Sequence, residues 1–533
     1  MKKYLALLLA LAMMLALAAC GSAPAEEATT AEAPAAAAPE AAAPAAPGEK
    51  STEVTIGVVD THYPAYPSSA ADDDFVCSGM VYDKLFEVDD FTGEYVSYIL
   101  DSYEWLDDVT FTMTVRDGIY FSDGKQMTAE DVLFSLQNYI LQGETTDKYQ
   151  YYSQIDFGAC TISDDGMTVT IVYKAPYGPA LRTLNCPVMQ KTFTEAHASS
   201  EMIWFTAPVG SGPYAITDMV QDSYVEFTLR EDYWDTSRTF DATKITLKFY
   251  SDESAMYMDY QAGNLDVIYN IGATTVESIE AAGGAQGTVQ YYPDNDVLYL
   301  HLNEDNPVLA DPLVREAIAH ALDMEYITDV AYGALGELAT SHYPTTFDAY
   351  VAHEGYEYDP ELAVELLEQA GYKSGDIVID WVSPDLPPEP QIGEAVQALL
   401  SQVGITVNVQ TYELATALGY HLGGETDISC SHTMGGNPTK EPDNALSSFY
   451  DKGAFASFSI SDPQYNEYYY NGLYSVDEET RWENYRNLDQ WLYDNYMVLP
   501  VCEVMKAVAY NDRIASFDQS ALMRSCLGSL KLA

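Results

Sequence analysis

Apolar and polar positions follow two periods along this chain. Val54-Thr55-Ile56-Gly57-Val58-Val59 is an apolar run of strand length, and Ile405, Val407 and Val409 alternate with polar neighbours as a second strand. Other stretches show helical spacing. Val132, Leu133, Leu136 and Ile140 follow Thr128 and Asp131, whose spacing is that of a capping box. Asp311-Pro312 and Asp359-Pro360 each place a capping carboxylate before a proline at the first helical position. From Asp359 a helix is predicted through Leu362, Leu366 and Leu367 to Gly371, which suits a C-terminal cap. Ile392 to Val403 predicts another that stops at Gly404, and Trp482, Tyr485, Leu488 and Leu492 form an apolar stripe suited to a core. Strands and helices mix without a fixed alternation or a repeat, which predicts an α/β chain with mixed sheets. With 533 residues the chain exceeds one ordinary core, so two or three lobes are expected.

The N-terminus differs from everything after it. Lys2 and Lys3 precede an apolar run from Tyr4 to Ala19, which closes on Leu17-Ala18-Ala19-Cys20. A charged start, an apolar stretch and small residues before a cysteine predict a lipoprotein-type signal over residues 1–19. The run is shorter than the ~20 residues that cross a bilayer core. Cys20 then becomes the lipid-bearing first residue and holds the protein on the extracytoplasmic face of the cell membrane. Beyond it, Pro34, Pro39, Pro44 and Pro47 interrupt an alanine-rich, acidic stretch, so residues 20–51 predict a disordered linker. Such a spacer reaches at most roughly 100 Å.

Charge removes one class of partner. The formal net charge is −58, and no basic stripe occurs, so nucleic acid is excluded as a partner. The field draws cationic or zwitterionic solutes only within the screening length of roughly 10 Å. Besides Cys20 there are Cys77, Cys160, Cys186, Cys430, Cys502 and Cys526, an even number that permits disulfides without fixing their pairing. No Cys-x-x-Cys spacing supports a zinc or redox motif. Catalytic motifs are also missing: His353-Glu354 lacks a second histidine four residues on, and no Gly-x-Ser-x-Gly occurs. Carboxylate runs such as Asp72-Asp73-Asp74 are too common in so acidic a chain to mark a glycosidase pair. A protein without catalytic residues or a cofactor is expected.

Four stretches, in order, carry a resemblance. They are Val81-Tyr82-Asp83-Lys84-Leu85-Phe86; Val115-Arg116-Asp117-Gly118 through Asp123-Gly124 into Met127-Thr128-Ala129-Glu130-Asp131-Val132; Gly210-Ser211-Gly212-Pro213-Tyr214 with Tyr233-Trp234; and Val314-Arg315-Glu316-Ala317-Ile318 followed by Tyr358-Asp359-Pro360 and Ala370-Gly371-Tyr372. Together they resemble the family 5 extracellular solute-binding proteins, the peptide- and nickel-type binding components of ABC importers, over roughly residues 53–515. The resemblance implies a two-lobed periplasmic-binding-protein-like α/β fold, in the large three-domain variant of type II. Lobe I would comprise 52–83, 209–295 and 500–533, the extra domain 84–208 and lobe II 296–499, with a hinge where the chain crosses near 295 and 500. Arg315 would pair with a carboxylate. The implied function is capture of a small ligand, a short peptide first of all, between the lobes and its delivery to permease subunits, with an ATPase acting indirectly and the binding protein a monomer. Sugars or a metal chelate in the same transport role, or a non-transport surface receptor, are the alternatives.

The resemblance also places the ligand. One wall would be the loop after the first strand, with Tyr63 and Tyr66. The other would combine Trp381 and Ser383 with the segment from His432 through Met434 and Asn437 to Asp443. Extended peptides are held mainly through main-chain hydrogen bonds, and tyrosines add area without fixing sequence. One departure stands out: the Trp and Asp that peptide binders carry shortly before an Asp-Pro step are absent before Pro442. Glu441 or Asp443 is left as the substitute for the acid that holds a peptide's amino group. Cys430, His432 and Met434 alternate, but alternation supplies no fourth ligand, so a metal site is not expected.

Overall fold

The computed structural model describes residues 52–59, 79–88, 95–142, 149–197, 207–432, 440–443, 460, 462–517, 527 and 530–533. In chain order the first strands are β1 (Glu53–Val59), β2 (Glu87–Val88), β3 (Tyr95–Val96), β4 (Leu100–Trp105), β5 (Thr110–Val115), β6 (Thr161–Ile162) and β7 (Thr168–Val172). Then come β8 (Tyr214–Val220), β9 (Tyr224–Leu229), β10 (Lys244–Tyr250), β11 (Val267–Tyr269), β12 (Thr288–Leu302) and β13 (Gly336–Leu338). The last are β14 (Ile377–Pro384), β15 (Ile405–Tyr412), β16 (Ile428–His432), β17 (Val498–Tyr510), β18 (Ile514–Ser516) and β19 (Lys531–Leu532). The helices that position the site are α1 (Ala129–Gln142), α2 (Ala180–Thr183), α3 (Pro312–Ala321), α4 (Met324–Tyr332), α5 (Pro360–Gln369), α6 (Glu389–Gln402), α7 (Leu414–Gly423), α8 (Pro463–Tyr474) and α9 (Glu478–Asn495).

Two strands far longer than the rest organise the molecule. β12 and β17 pair antiparallel from Thr288 opposite Tyr510 to His301 opposite Val498. They belong to one eleven-stranded sheet of order β15-β14-β16-β12-β17-β11-β1-β10-β9-β8, with β13 on β17. The ends of the pair near Tyr510 therefore sit beside β11 and β1, and the ends near Val498 beside β16 and β14. Each half of the sheet has its own core. One packs Val54, Ile56, Phe227, Leu247 and Val508, the other Leu300, Ile318, Ile379, Trp381, Val396 and Val501. Midway the pairing breaks between Pro293 and Val297, and buried Asn295 takes φ 55°, a left-handed conformation that asparagine tolerates. The break falls opposite Glu503 to Met505.

A third core lies outside this sheet. The four-stranded sheet β4-β5-β7-β6 packs Phe111, Met113, Val169 and Ile171 against Val132, Leu136 and Tyr139 of α1. At the Gly210-Ser211-Gly212 motif the chain comes back to the main sheet, where a Cβ at Gly212 would lie 2.6 Å from the Val81 carbonyl carbon, and the Ser122 amide of this body donates to the Gly210 carbonyl at 2.8 Å. Asp83 accepts hydrogen bonds from the Trp234 indole (2.8 Å) and the Tyr233 hydroxyl (3.1 Å), which accounts for that pair of aromatics as scaffold.

Helix boundaries follow their capping chemistry. Asp311 accepts from the Leu313 amide at 3.0 Å, and Asp359 from the Glu361 and Leu362 amides at 3.1 and 2.9 Å. Asp359→Ala is expected to lower unfolding stability by about 1 kcal/mol. An unchanged denaturation midpoint would show that water replaces the carboxylate without loss. α6 begins at Glu389, three residues before the apolar period, since Pro390 supplies an early helical position without needing its own N–H. One expectation needs correction. Arg315 donates to the carbonyls of Asn495, Leu309 and Ala310 at 2.9–3.0 Å, so its partners are helix and loop ends rather than a carboxylate. Among the described residues Cys160, Cys430 and Cys502 are free thiols, while Cys77 and Cys526 lie outside the described residues.

Candidate ligand-binding site

β14 is parallel to both β15 and β16, so these strands end together at Pro384, Tyr412 and His432. In open α/β sheets ligands bind outside such carboxyl ends. His432 closes β16 opposite Leu298, next to the broken stretch of β12. Its Nδ1 lies 2.7 Å from Asp296 Oδ2, and the Tyr332 hydroxyl, at the end of α4, lies 3.4 Å from Nε2. Burial opposes a charge on this ring, but Asp296 outweighs it and raises the pKa. Across the break, Asp294 pairs with Lys506 at 3.3 Å, and burial lifts its carboxyl to about 6. A histidine from one half of the sheet, two aspartates from the crossing strand and a lysine from its partner thus meet at the junction.

The helix-facing side of the same strand ends is also polar. Trp381 is fully buried beneath α6, where a Cβ on Gly393 would lie 2.6 Å from its indole nitrogen. Expected as a wall of the site, Trp381 is instead a core residue of this half, placed there by strand alternation with Ile379. Ser383, two residues on, is 1 % exposed, and its hydroxyl has no hydrogen-bond partner among the described residues. Cys430 faces the same side, and burial, then the charge of Glu389, push its thiol pKa up.

Glu441 and Asp443 lie elsewhere. Glu441 is fully buried, ion-paired with Arg481 of α9 and 3.4 Å from Arg182 of α2. The ring of Trp482 stands 4.7 Å from the Arg182 guanidinium and 4.6 Å from that of Arg481. This seam joins the four-stranded-sheet body to the half of the main sheet that holds β14–β16. Asp443, 6 % exposed, lies within electrostatic reach of Tyr177, Tyr469, Tyr485 and Arg481 in that seam. Glu441 is therefore not the acid for a ligand's amino group, because two arginines engage it. Tyr63, Tyr66, Met434, Asn437 and Cys20 lie outside the described residues.

Glu389, Asp294, Asp296, Tyr332 and Lys506 were not singled out in the sequence. Only Glu389 left a signal, an acidic residue after Pro387-Pro388 at the start of an apolar helical period. A cavity of about 550 Å³ lined by Asp323, Glu354, Tyr356, Tyr358, Tyr493 and Pro500 opens instead near the start of β17. Pro500 lies opposite Tyr299, three residues before the stretch of β17 that faces the break. Among the described residues, no helix is long and apolar enough to cross a membrane and no group of His, Cys, Asp and Glu is arranged to hold a metal ion.

Two half-sheets joined by a shared, locally broken strand pair define a two-lobed binding protein. The chain belongs to the bacterial extracellular solute-binding proteins, family 5, whose middle region matches residues 94–457. It is 23% identical over 474 residues to heme-binding protein A of Haemophilus influenzae, covering 83% of this chain and 85% of that one. Against the dipeptide-binding protein of Escherichia coli it is 25% identical over 396 residues, covering 69% and 73%. The ABC transporter substrate-binding protein CtaP of Listeria monocytogenes has the same fold, with a TM-score of 0.78 at 21% identity over 91% of this chain and all of that one. This family binds solutes, and the two-lobed fold expected from the motifs is the one observed.

Proposed function

We propose that this protein is the substrate-binding component of an ABC importer that takes up short peptides. The observation that carries it is the junction itself, where strand ends of one lobe meet the crossing strands beside His432, Asp296 and Asp294. The likeness to a dipeptide-binding protein supports the peptide class. Lobe I comprises 52–83, 209–295 and 500–533, the extra domain 84–208 and lobe II 296–499, and closure about the crossing strands traps the ligand. Tyr63, Tyr66, Met434 and Asn437 join His432 in contacting it. A signal over 1–19, a lipid on Cys20 and the linker 20–51 keep the monomeric binding body near its permease. The family is one of binding proteins, so ATP is used by partner subunits.

The test is thermal unfolding of the purified full chain after denaturation and refolding to remove carried ligand. The panel holds di- to octapeptides, oligosaccharides, haem and nickel with histidine. A ligand at 100 times its Kd stabilises by about 2.7 kcal/mol. Stabilisation by peptides is expected. A response confined to sugars, haem or the nickel chelate would replace the peptide class and leave the solute-binding role in place.

A further inference from the structure

We propose that Glu389 and Ser383 form a subsite for a ligand ammonium group, so that the carboxylate missing before Pro442 is replaced by one at the start of α6. The inference rests on the solute-binding role proposed above and deepens it to amine-bearing ligands.

Geometry places the two residues face to face. β14 and α6 run in opposite directions across a short loop, and Gly393 sits over the Trp381 indole. Moving one helical turn toward the start of α6, about 6 Å, gives Glu389. Moving two residues toward the end of β14, also about 6–7 Å, gives Ser383 on the same face. The glutamate therefore stands over the serine as the glycine stands over the tryptophan. Cys430 adjoins them, since Trp381 pairs with Ile428 and the next same-face positions are Ser383 and Cys430.

Among the described residues neither oxygen has a protein donor. The Ser383 hydroxyl and the Glu389 Oε2 atom are buried without a hydrogen-bond partner among the described residues, although Glu389 as a whole is partly exposed. Buried polar atoms of this kind are filled by ordered water or by a ligand. An ammonium group offers three donors and no acceptor. The carboxylate oxygen, the hydroxyl and the Cys430 sulfur, a weak acceptor, offer it three acceptors. The nearby cationic groups are already balanced, since His432 faces Asp296 and Lys506 faces Asp294. Glu389 also acts electrostatically on Tyr332, Cys430 and His432, which puts its charge at the strand ends rather than on the outer surface.

The experiment compares wild type, Glu389→Gln and Ser383→Ala by calorimetric titration of the refolded full chain. Probes are free-amino peptides, the same peptides N-acetylated, and simple primary amines. Charge-assisted hydrogen bonds are strong enough that Glu389→Gln should weaken free-amine ligands about tenfold to a hundredfold. N-acetylated ligands should change little, and Ser383→Ala should show a smaller loss of the same selectivity. Retained preference for the free amine in Glu389→Gln, or equal loss of both ligand forms, overturns the subsite and leaves water as the group that fills it. Binding of simple amines without peptides would refute the peptide class but support the subsite. A wild type that responds to no amine-bearing compound overturns the subsite whatever else binds.

Discussion

Replacing Glu441 by glutamine is expected to lower the unfolding free energy by about 3–5 kcal/mol. The glutamate is fully buried between Arg481, 1 % exposed at its side chain, and Arg182, 8 % exposed, while Asp348 reaches Arg182 from the surface at 2.5 Å. Neutralising it leaves two guanidinium groups beside the Trp482 ring without the carboxylate that they share. Breaking such a cluster costs far more than the cluster contributes against an apolar replacement. The triple change Arg182→Met, Glu441→Leu, Arg481→Met should therefore recover most of the loss, which no surface ion pair would do. Chemical denaturation reports both effects, and a Glu441→Gln midpoint equal to wild type would remove the seam as a source of stability. Because Arg182 comes from the four-stranded-sheet body and Arg481 from α9, the single change should also loosen ligand binding by freeing two bodies from each other.

How much was legible in the sequence depended on how local the cause was. The caps at Asp311 and Asp359, and the positive-φ glycines 371 and 404 that follow helices, are decided within a few residues and were foreseen. The family motifs proved to be scaffold: Gly212 touches Val81, and Trp234 serves Asp83. The site was harder. Trp381 and Ser383 are near neighbours in sequence, yet only the position of α6 reveals that Trp381 packs in a core beneath Gly393, while the Ser383 hydroxyl is buried without a hydrogen-bond partner among the described residues. Glu441 looked available as an amine partner because Arg182 and Arg481 are 259 and 40 residues away and nothing local announces them. Arg315 misled for the opposite reason. The family resemblance implies a carboxylate partner, but helix and loop ends offer unsatisfied carbonyls in the right place.

Asp489 gives the second large effect and a pH signature. It lies on α9, fully buried, with Nδ1 of His342 and Nε2 of His353 each 2.7 Å from its oxygens and the Ser341 hydroxyl at 3.0 Å. The other nitrogen of His342 lies 2.8 Å from the Val498 carbonyl. Both nitrogens of His342 therefore lie against oxygen atoms, one of the Asp489 carboxylate and one of the Val498 carbonyl, and the His342 backbone amide adds a hydrogen bond to the same carboxylate at 2.9 Å. Burial works against the Asp489 carboxylate, but the hydrogen bonds and charges of the two histidines hold its pKa down to about 2. The unfolded chain has the ordinary aspartate value, so it takes up this proton first as pH falls. The contribution is complete above the unfolded value and is lost as pH falls through about 2, a swing on the order of 2–3 kcal/mol. Asp489→Asn should lose about 3–5 kcal/mol at neutral pH, because it removes the buried carboxylate that both histidine rings, the Ser341 hydroxyl and the His342 amide engage. Its stability should also fall less steeply than that of wild type between about pH 4 and pH 2. Denaturant midpoints measured across that range decide the matter: parallel curves for the two proteins would mean that Asp489 is not the group being titrated.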